Sequence, residues 1–290
     1  MDDLLKSSIR LFLLPKNKEE KTMKKEFKYK ILNPGGNKTA LVLEDCYSKD
    51  ERKLINDFIL KENLEVEQVG FISSKEKKLE MAGGEFCVNA TRCAIYEYLK
   101  QKQGTINLKV SGAKENIEGG IEKENVYAKM KINKSINDLI KTEGIYNYVE
   151  LDGILQIVVS EEDSKAFIEK LKIDEEKTKN ELKEIMKKVD TLQKAIGIIL
   201  LEKASDKTKI YPIVWVKTVD TLYYETACGS GSLATAIYKS TIENKTNFEI
   251  EQPSGYSIEI DLKIDGEIVE EGKISGKVID EKGEIKYGRI

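Results

Sequence analysis

The chain has 290 residues, of which 40% are apolar and 34% charged, a balance that suits a soluble globular protein and excludes disorder throughout. Its 48 basic and 51 acidic side chains nearly cancel and are interspersed, so neither nucleic acid nor an anionic membrane is favoured as a partner. Histidine is absent, which removes Ser-His-Asp and Cys-His nucleophile systems and every histidine-containing metal site. No apolar run approaches the ~20 residues of a membrane span, and the apolar stretch at residues 9–14 lacks a small-residue cleavage site, so a cytoplasmic protein is expected. The four cysteines, Cys46, Cys87, Cys93 and Cys228, form no C-x-x-C pair, which leaves structural zinc and thioredoxin-like redox chemistry poorly supported. Chemistry must come from thiols, carboxylates, amides or backbone.

Residues 1–22 precede a second methionine, Met23, and strand-like alternation begins only after it. They read as a leader or extension, with a short helical arm over residues 3–14, ended by Pro15, as the alternative. Strands are predicted at 27–32 and 40–43, separated by the turn Pro34-Gly35-Gly36-Asn37, followed by an amphipathic helix over 50–62. Strands at 68–72 and 78–81 lead to Cys87 and an apolar helix to Leu99, then strands at 106–110, 120–122 and 126–132. A second cycle has strands at 146–151 and 155–159, a long charged helical region over 161–188, and strands at 196–202 and 210–216. It ends with Cys228, an apolar helix over 232–240, and strands at 248–251 and 257–264.

Both halves thus run through strands, a glycine-flanked cysteine, a short apolar helix and more strands. Helices apolar nearly all round are buried ones. The expected fold is α+β: two pseudo-repeated domains, each a mostly antiparallel sheet wrapped around a central helix. The expected division is 23–134, 135–272, and a return of 273–290 to the first domain.

The clusters Gly83-Gly84-Glu85-Phe86-Cys87-Val88-Asn89-Ala90-Thr91-Arg92-Cys93 and Glu225-Thr226-Ala227-Cys228-Gly229-Ser230-Gly231-Ser232 each put a thiol at a predicted helix start. Free N–H groups and the positive end of the helix dipole stabilise anions there, and a thiolate in such a place is expected to have its pKa lowered from ~8.5. A cysteine is more often a small buried hydrophobe than a catalyst, and Cys46 and Cys93 are read that way. The repeated context sets Cys87 and Cys228 apart. Gly229-Ser230-Gly231-Ser232 lacks the Gly-Lys-Ser/Thr of a phosphate loop, and an α-carboxylate is an equally suitable anion for it. The charged run 161–188 reads as a solvated helix face.

The segments Glu85-Phe86-Cys87-Val88-Asn89-Ala90 and Ala227-Cys228-Gly229-Ser230-Gly231 resemble the pyridoxal-independent racemase and epimerase family typified by diaminopimelate epimerase, whose motifs are C-G-N-G-A-R-C and A-C-G-T/S-G. Asn33-Pro34-Gly35-Gly36-Asn37 and Gln252-Pro253-Ser254-Gly255 extend the likeness over nearly all of the chain after Met23. Within the family the nearer likeness is to the histidine racemase branch of staphylopine-type biosynthesis, through those segments, residues 67–72 and residues 224–231. Two departures stand out: Val88 replaces a glycine beside the first thiol, and Gln156 stands about where a family histidine would sit.

The resemblance implies an isomerase in which two domains close on one amino acid, with Cys87 and Cys228 on opposite faces of its Cα. It implies neither metal nor pyridoxal phosphate. Backbone N–H groups around Val88, Asn89, Gly229 and Ser230 would hold the substrate carboxylate, and Asn37, Gln68, Asn89, Gln156 and Glu225 the rest. Glu85 fits either a supporting role or a solvated turn. A homodimer is expected by analogy. Diaminopimelate epimerases carry an arginine upstream of the second thiol, and residues 217–228 contain none. Tyr223, Tyr224 and Glu225 stand there instead, which points to histidine before diaminopimelate, unless the tyrosines are strand packing and Lys217 supplies the charge. A binding protein that has lost the chemistry and a Cys87–Cys228 redox switch are the other readings.

Overall fold

The computed structural model describes residues 25–290 apart from 45, 74, 205, 206, 218, 219 and 282, so the expectations for residues 1–22, the 3–14 arm and Met23 lie outside the described residues. The first half contains β1 (Glu26–Leu32), β2 (Thr39–Val42), α1 (Lys49–Glu62), β3 (Gln68–Ser73), β4 (Lys78–Met81), α2 (Val88–Leu99), β5 (Gly104–Val110), β6 (Ile117–Glu122) and β7 (Asn125–Ser135). A short connection, α3 (Ile136–Leu139) and β8 (Ile140–Glu143), leads into the second half. There follow β9 (Tyr146–Leu151), β10 (Ile154–Val159), α4 (Glu161–Ile173), α5 (Glu175–Met186), β11 (Ala195–Ala204), β12 (Lys207–Val216) and β13 (Thr221–Tyr224). Helix α6 (Gly229–Glu243), β14 (Asn247–Glu251), β15 (Ser257–Asp265), β16 (Ile268–Lys277) and β17 (Lys286–Arg289) complete the chain.

The halves repeat one pairing plan. In the first, β1 and β2 are antiparallel, β2 and β3 parallel across α1, β3 and β4 antiparallel, β4 and β5 parallel across α2, and β5, β6 and β7 antiparallel. In the second, β9 and β10 are antiparallel, β10 and β11 parallel across α4 and α5, β11 and β12 antiparallel, β12 and β14 parallel across α6, and β14, β15 and β16 antiparallel. The halves join where β7 runs antiparallel to β16, Asn125 opposite Lys277 and Ser135 opposite Ile268. Each half also receives an edge strand from beyond the other's last strand: β8 lies on β9, and β17 lies on β1 with Glu26 opposite Arg289. The last strand, β17, is therefore tied to β1.

Burial explains this layering. Strand β11 buries every residue from Ala195 to Leu201 because helices cover both its faces, whereas β1 alternates. Helix α1 starts from a capping box formed by Ser48 and Glu51 and buries Ile55 and Ile59, one turn apart, against Phe27, Tyr29 and Phe71. Helices α2 and α6 are the buried ones, with Ile95, Leu233 and Ile237 fully enclosed, each contributing about 1.5–3 kcal/mol. They share one continuous apolar core rather than owning one each. The predicted 161–188 helix is two helices, because Asp174 leaves helical geometry (φ −147°, ψ 91°) and caps α5 by accepting from Lys177 N–H at 3.0 Å. Among the described residues no helix is long and apolar enough to cross a membrane.

Candidate active site

Cys87 is the N-cap of α2 (φ −133°, ψ 117°) and Cys228 the N-cap of α6 (φ −134°, ψ 106°). Sulfur takes the place that a serine or aspartate oxygen usually fills. The Ala90 N–H donates to Cys87 Sγ at 3.5 Å, and the Gly231 N–H donates to Cys228 Sγ at 3.3 Å. One residue further on, Thr91 Oγ1 donates to the Cys87 carbonyl at 2.7 Å and Ser232 Oγ to the Cys228 carbonyl at 2.7 Å. The repeat seen in the sequence is therefore a repeat of hydrogen bonds.

The two helix starts abut. Asn89 Nδ2 donates to the Ala227 carbonyl at 3.1 Å, joining the first turn of α2 to the residue before Cys228. A Cβ on Gly229 would stand 3.0 Å from Val88 Cβ and 3.3 Å from Asn89 Oδ1, so Val88, buried where the family has glycine, packs directly on Gly229. The turn that follows Asn33 closes over the second loop. Gly36 holds φ +103°, and a Cβ there would meet the Thr226 carbonyl and Ser254 Oγ, both at 2.7 Å, so only glycine fits. Asn37 N–H donates to Thr226 Oγ1 at 2.6 Å, and Ser254 Oγ to the Gly35 carbonyl at 2.7 Å.

The other expected residues surround the thiols. Gln68 lies against Cys87, its Nε2 donating to Thr39 Oγ1 at 2.8 Å. Ser230 Oγ is 3.5 Å from Cys228 Sγ. Gln156 is fully buried; its Nε2 donates to Ser230 Oγ at 2.9 Å and lies 4.0 Å from Cys228 Sγ. Gln156 Oε1 and Asn37 Oδ1 are buried acceptors with no partner among the described residues.

Glu67, Glu85 and Glu225 make the electrostatics acidic. Thr226 donates to Glu67 through both its hydroxyl and its N–H, and burial raises the Glu67 carboxyl. Glu85 folds back on its own loop and is raised by burial. Glu225, hydrogen-bonded to the Cys228 thiol, is pushed up to about 7 by burial and by Glu67. The thiols correct the expectation of lowered pKa values. Burial, with lesser contributions from Glu225 and Glu85, pushes Cys87 up to about 12, and burial followed by Glu225 pushes Cys228 well above its ordinary range. The helix-start amides act in the anticipated direction but are outweighed by desolvation.

Tyr224 stacks on Tyr211, centroids 6.4 Å apart and planes at 5°, in the core beneath α4 and α5, so it is strand packing. Tyr223 is exposed, and Lys217 donates to the Thr191 carbonyl at 2.8 Å. Of those groups, Glu225 is the one in contact with a thiol. Sequence reasoning missed Glu67, Thr226, Arg92 and Gln252. Gln252 Oε1 accepts from Cys228 N–H at 2.9 Å while its Nε2 donates to Ser232 Oγ at 3.0 Å, bracing the second loop. Gln252, Glu67 and Thr226 lie inside segments that carried the family likeness, and Arg92 stands at the arginine of the C-G-N-G-A-R-C motif, which was the available signal. A cavity of 310 Å³ reaches Phe86, but neither thiol is on its wall.

Residues 26–285 match the family profile described as the histidine racemase CntK N-terminal domain. A histidine racemase of Fusobacterium nucleatum is 33% identical over 263 residues, covering 84% of this chain and 95% of that protein. A histidine racemase of Staphylococcus aureus is 23% identical over 241 residues, covering 77% and 84%. Among solved structures, a phenazine biosynthesis PhzF family protein of Enterococcus faecalis superposes with TM-score 0.58 at 14% identity, over 92% of this chain and 99% of its own. A hydroxyproline epimerase of Agrobacterium vitis, with bound trans-4-hydroxy-L-proline, superposes with TM-score 0.55 at 10% identity over 92% of each chain. These two likenesses concern the fold.

Proposed function

Because the chain belongs to the histidine racemase family and is a pyridoxal-independent amino-acid racemase, we propose that it interconverts L- and D-histidine using the thiols of Cys87 and Cys228. One thiolate removes the α-proton while the other, as thiol, delivers a proton to the opposite face. A single base would tend to return its own proton and restore the starting configuration. The paired N-cap geometry of Cys87 and Cys228, at helix starts joined through Asn89 and Ala227, is the observation that carries this reading.

First-turn N–H groups have no intrahelical partner. Those of Val88, Asn89, Gly229 and Ser230 would take the α-carboxylate between the two helix starts and stabilise the charge that builds on it, each well-placed donor contributing roughly 3–4 kcal/mol by analogy with oxyanion holes. The unpartnered Asn37 Oδ1 and Gln156 Oε1 suit the substrate's N–H donors. Since both thiol pKa values are raised, the free enzyme holds thiols. The substrate's α-ammonium group offsets that bias, because a positive charge beside the thiols favours the thiolate.

Histidine is favoured by the acidic groups themselves. Glu225, with Glu67 nearby, offers acceptors to an imidazole N–H, whereas the distal carboxylate of diaminopimelate would meet like charge. Incubation with each L-amino acid and with LL-diaminopimelate in deuterated water tests this by Cα deuteration. Exchange in histidine is expected. Exchange confined to diaminopimelate would overturn the substrate, and none with any amino acid would overturn the reaction.

A further inference from the structure

Arg92 is fully buried on α2, one turn beyond Cys87, and its guanidinium is spent on acceptors from four separate segments. Nε donates to the Val126 carbonyl of β7 at 3.0 Å, and Nη2 to the Lys277 carbonyl at the end of β16 at 3.1 Å. Nη1 donates to the Pro34 carbonyl at 3.3 Å and to Asn89 Oδ1 at 3.4 Å. These partners are three carbonyls and one amide oxygen. Burial lowers the guanidinium to about 10. A Cβ at Gly276 would stand 2.8 Å from Nη2, so the neighbouring strand leaves room for this side chain.

The bond to Asn89 has a consequence for the thiols. An amide side chain presents an acceptor on one side and a donor on the other, and its orientation is set by its partners. Arg92 has only donors, so it claims Oδ1 and turns Nδ2 toward the Ala227 carbonyl. The chain Arg92, Asn89, Ala227 thereby crosses from the helix start bearing Cys87 to the residue preceding Cys228. Through Pro34 and Lys277, the same guanidinium holds the turn over the second loop and the strand at the seam between halves.

We propose that Arg92 is a positioning residue, which fixes the Asn89 amide and so sets the placement of one thiol relative to the other. This rests on the two-thiol reading above. Lysine keeps the charge but lacks the fork needed to serve all four acceptors. Loss of the tie leaves each thiol able to meet a substrate on its own face but misplaces the pair, and such misplacement acts on inversion more than on binding.

Arg92→Lys, Asn89→Ala and the double variant are compared with wild type in deuterated water, reading inversion and the Cα deuteration of recovered L-histidine separately, together with backbone amide exchange over residues 35–37 and 226–229. In Arg92→Lys, kcat for inversion is expected to fall more than about tenfold with KM within about threefold, and the ratio of deuteration with retention to inversion to rise. Asn89→Ala should raise that ratio too, with the double variant no worse than Asn89→Ala alone, because both remove one link. Amide exchange at 226–229 should quicken in all three. An unchanged ratio in folded Arg92→Lys, or independent effects in the double variant, overturns the proposal. If Arg92→Lys fails to fold, the ratio and amide exchange of Asn89→Ala decide the matter. If wild type turns over no histidine, the proposed function falls, while amide exchange at 226–229 still tests the tie.

Discussion

Replacing Glu225 with glutamine removes an ionisable group while keeping its shape. In the native protein this carboxyl titrates at about 7 instead of the ordinary 4.5, because burial and Glu67 disfavour its charge. The folded state thus holds the proton more tightly than the unfolded state, and wild-type stability must decline as pH rises from 4.5 through 7. A shift of this size corresponds to about 3 kcal/mol at full strength, reduced to about 1–3 kcal/mol because the side chain is only partly buried. Glu225→Gln should therefore match wild type below pH 4.5 and be more stable by about 1–3 kcal/mol at pH 8. Denaturant unfolding at pH 4, 6 and 8 measures this. The variant should also speed Cys228 alkylation at pH 8, since Glu225 is the charged group that raises that thiol. Equal stability at pH 8, or a wild type more stable there, would refute the assignment of a strained carboxylate beside Cys228.

Cys87→Ser and Cys228→Ser should each abolish racemisation without loss of fold, as measured by chiral chromatography and circular dichroism; turnover near wild type in both directions by either variant would count against two thiols. Because both thiols are raised, kcat/KM should keep climbing through pH 9 as the thiolate fraction grows, and a plateau from pH 7 would contradict the buried-thiol electrostatics. Gly229→Ala should destabilise the protein by about 1–3 kcal/mol through overpacking on Val88, and Val88→Gly, itself costly because Val88 is buried, should cost less in the Gly229→Ala chain than in wild type when both are compared by thermal melting.

Local pattern made much of this fold legible. Alternation and turn residues placed most strands within a few positions, and the two glycine-flanked cysteines marked the helices that prove to be buried. The four-residue edge strands Ile140–Glu143 and Lys286–Arg289 carry too little pattern of their own and are defined by the partner that each finds in the other half. Asp174 followed by Glu175 and Glu176 is a helix-start signal, but a continuous charged run hides it. At the site, the N-cap role of each thiol could be read locally, whereas its pKa could not. Desolvation of Cys87 and Cys228 depends on the closure of two distant loops, and Glu225 touches Cys228 only because β13 ends beside α6. Arg92 stands at the arginine of the family motif, but its task is hidden until its four acceptors, drawn from positions 34 to 277, are assembled around it.

The two-thiol reaction is tested most directly by the fate of solvent deuterium in the first turnovers of L-histidine in deuterated water. Two thiols on opposite faces predict D-histidine carrying deuterium at Cα, with recovered L-histidine still carrying the original hydrogen. Deuterium entering recovered L-histidine as fast as D-histidine forms, or D-histidine that keeps the original hydrogen, would contradict it.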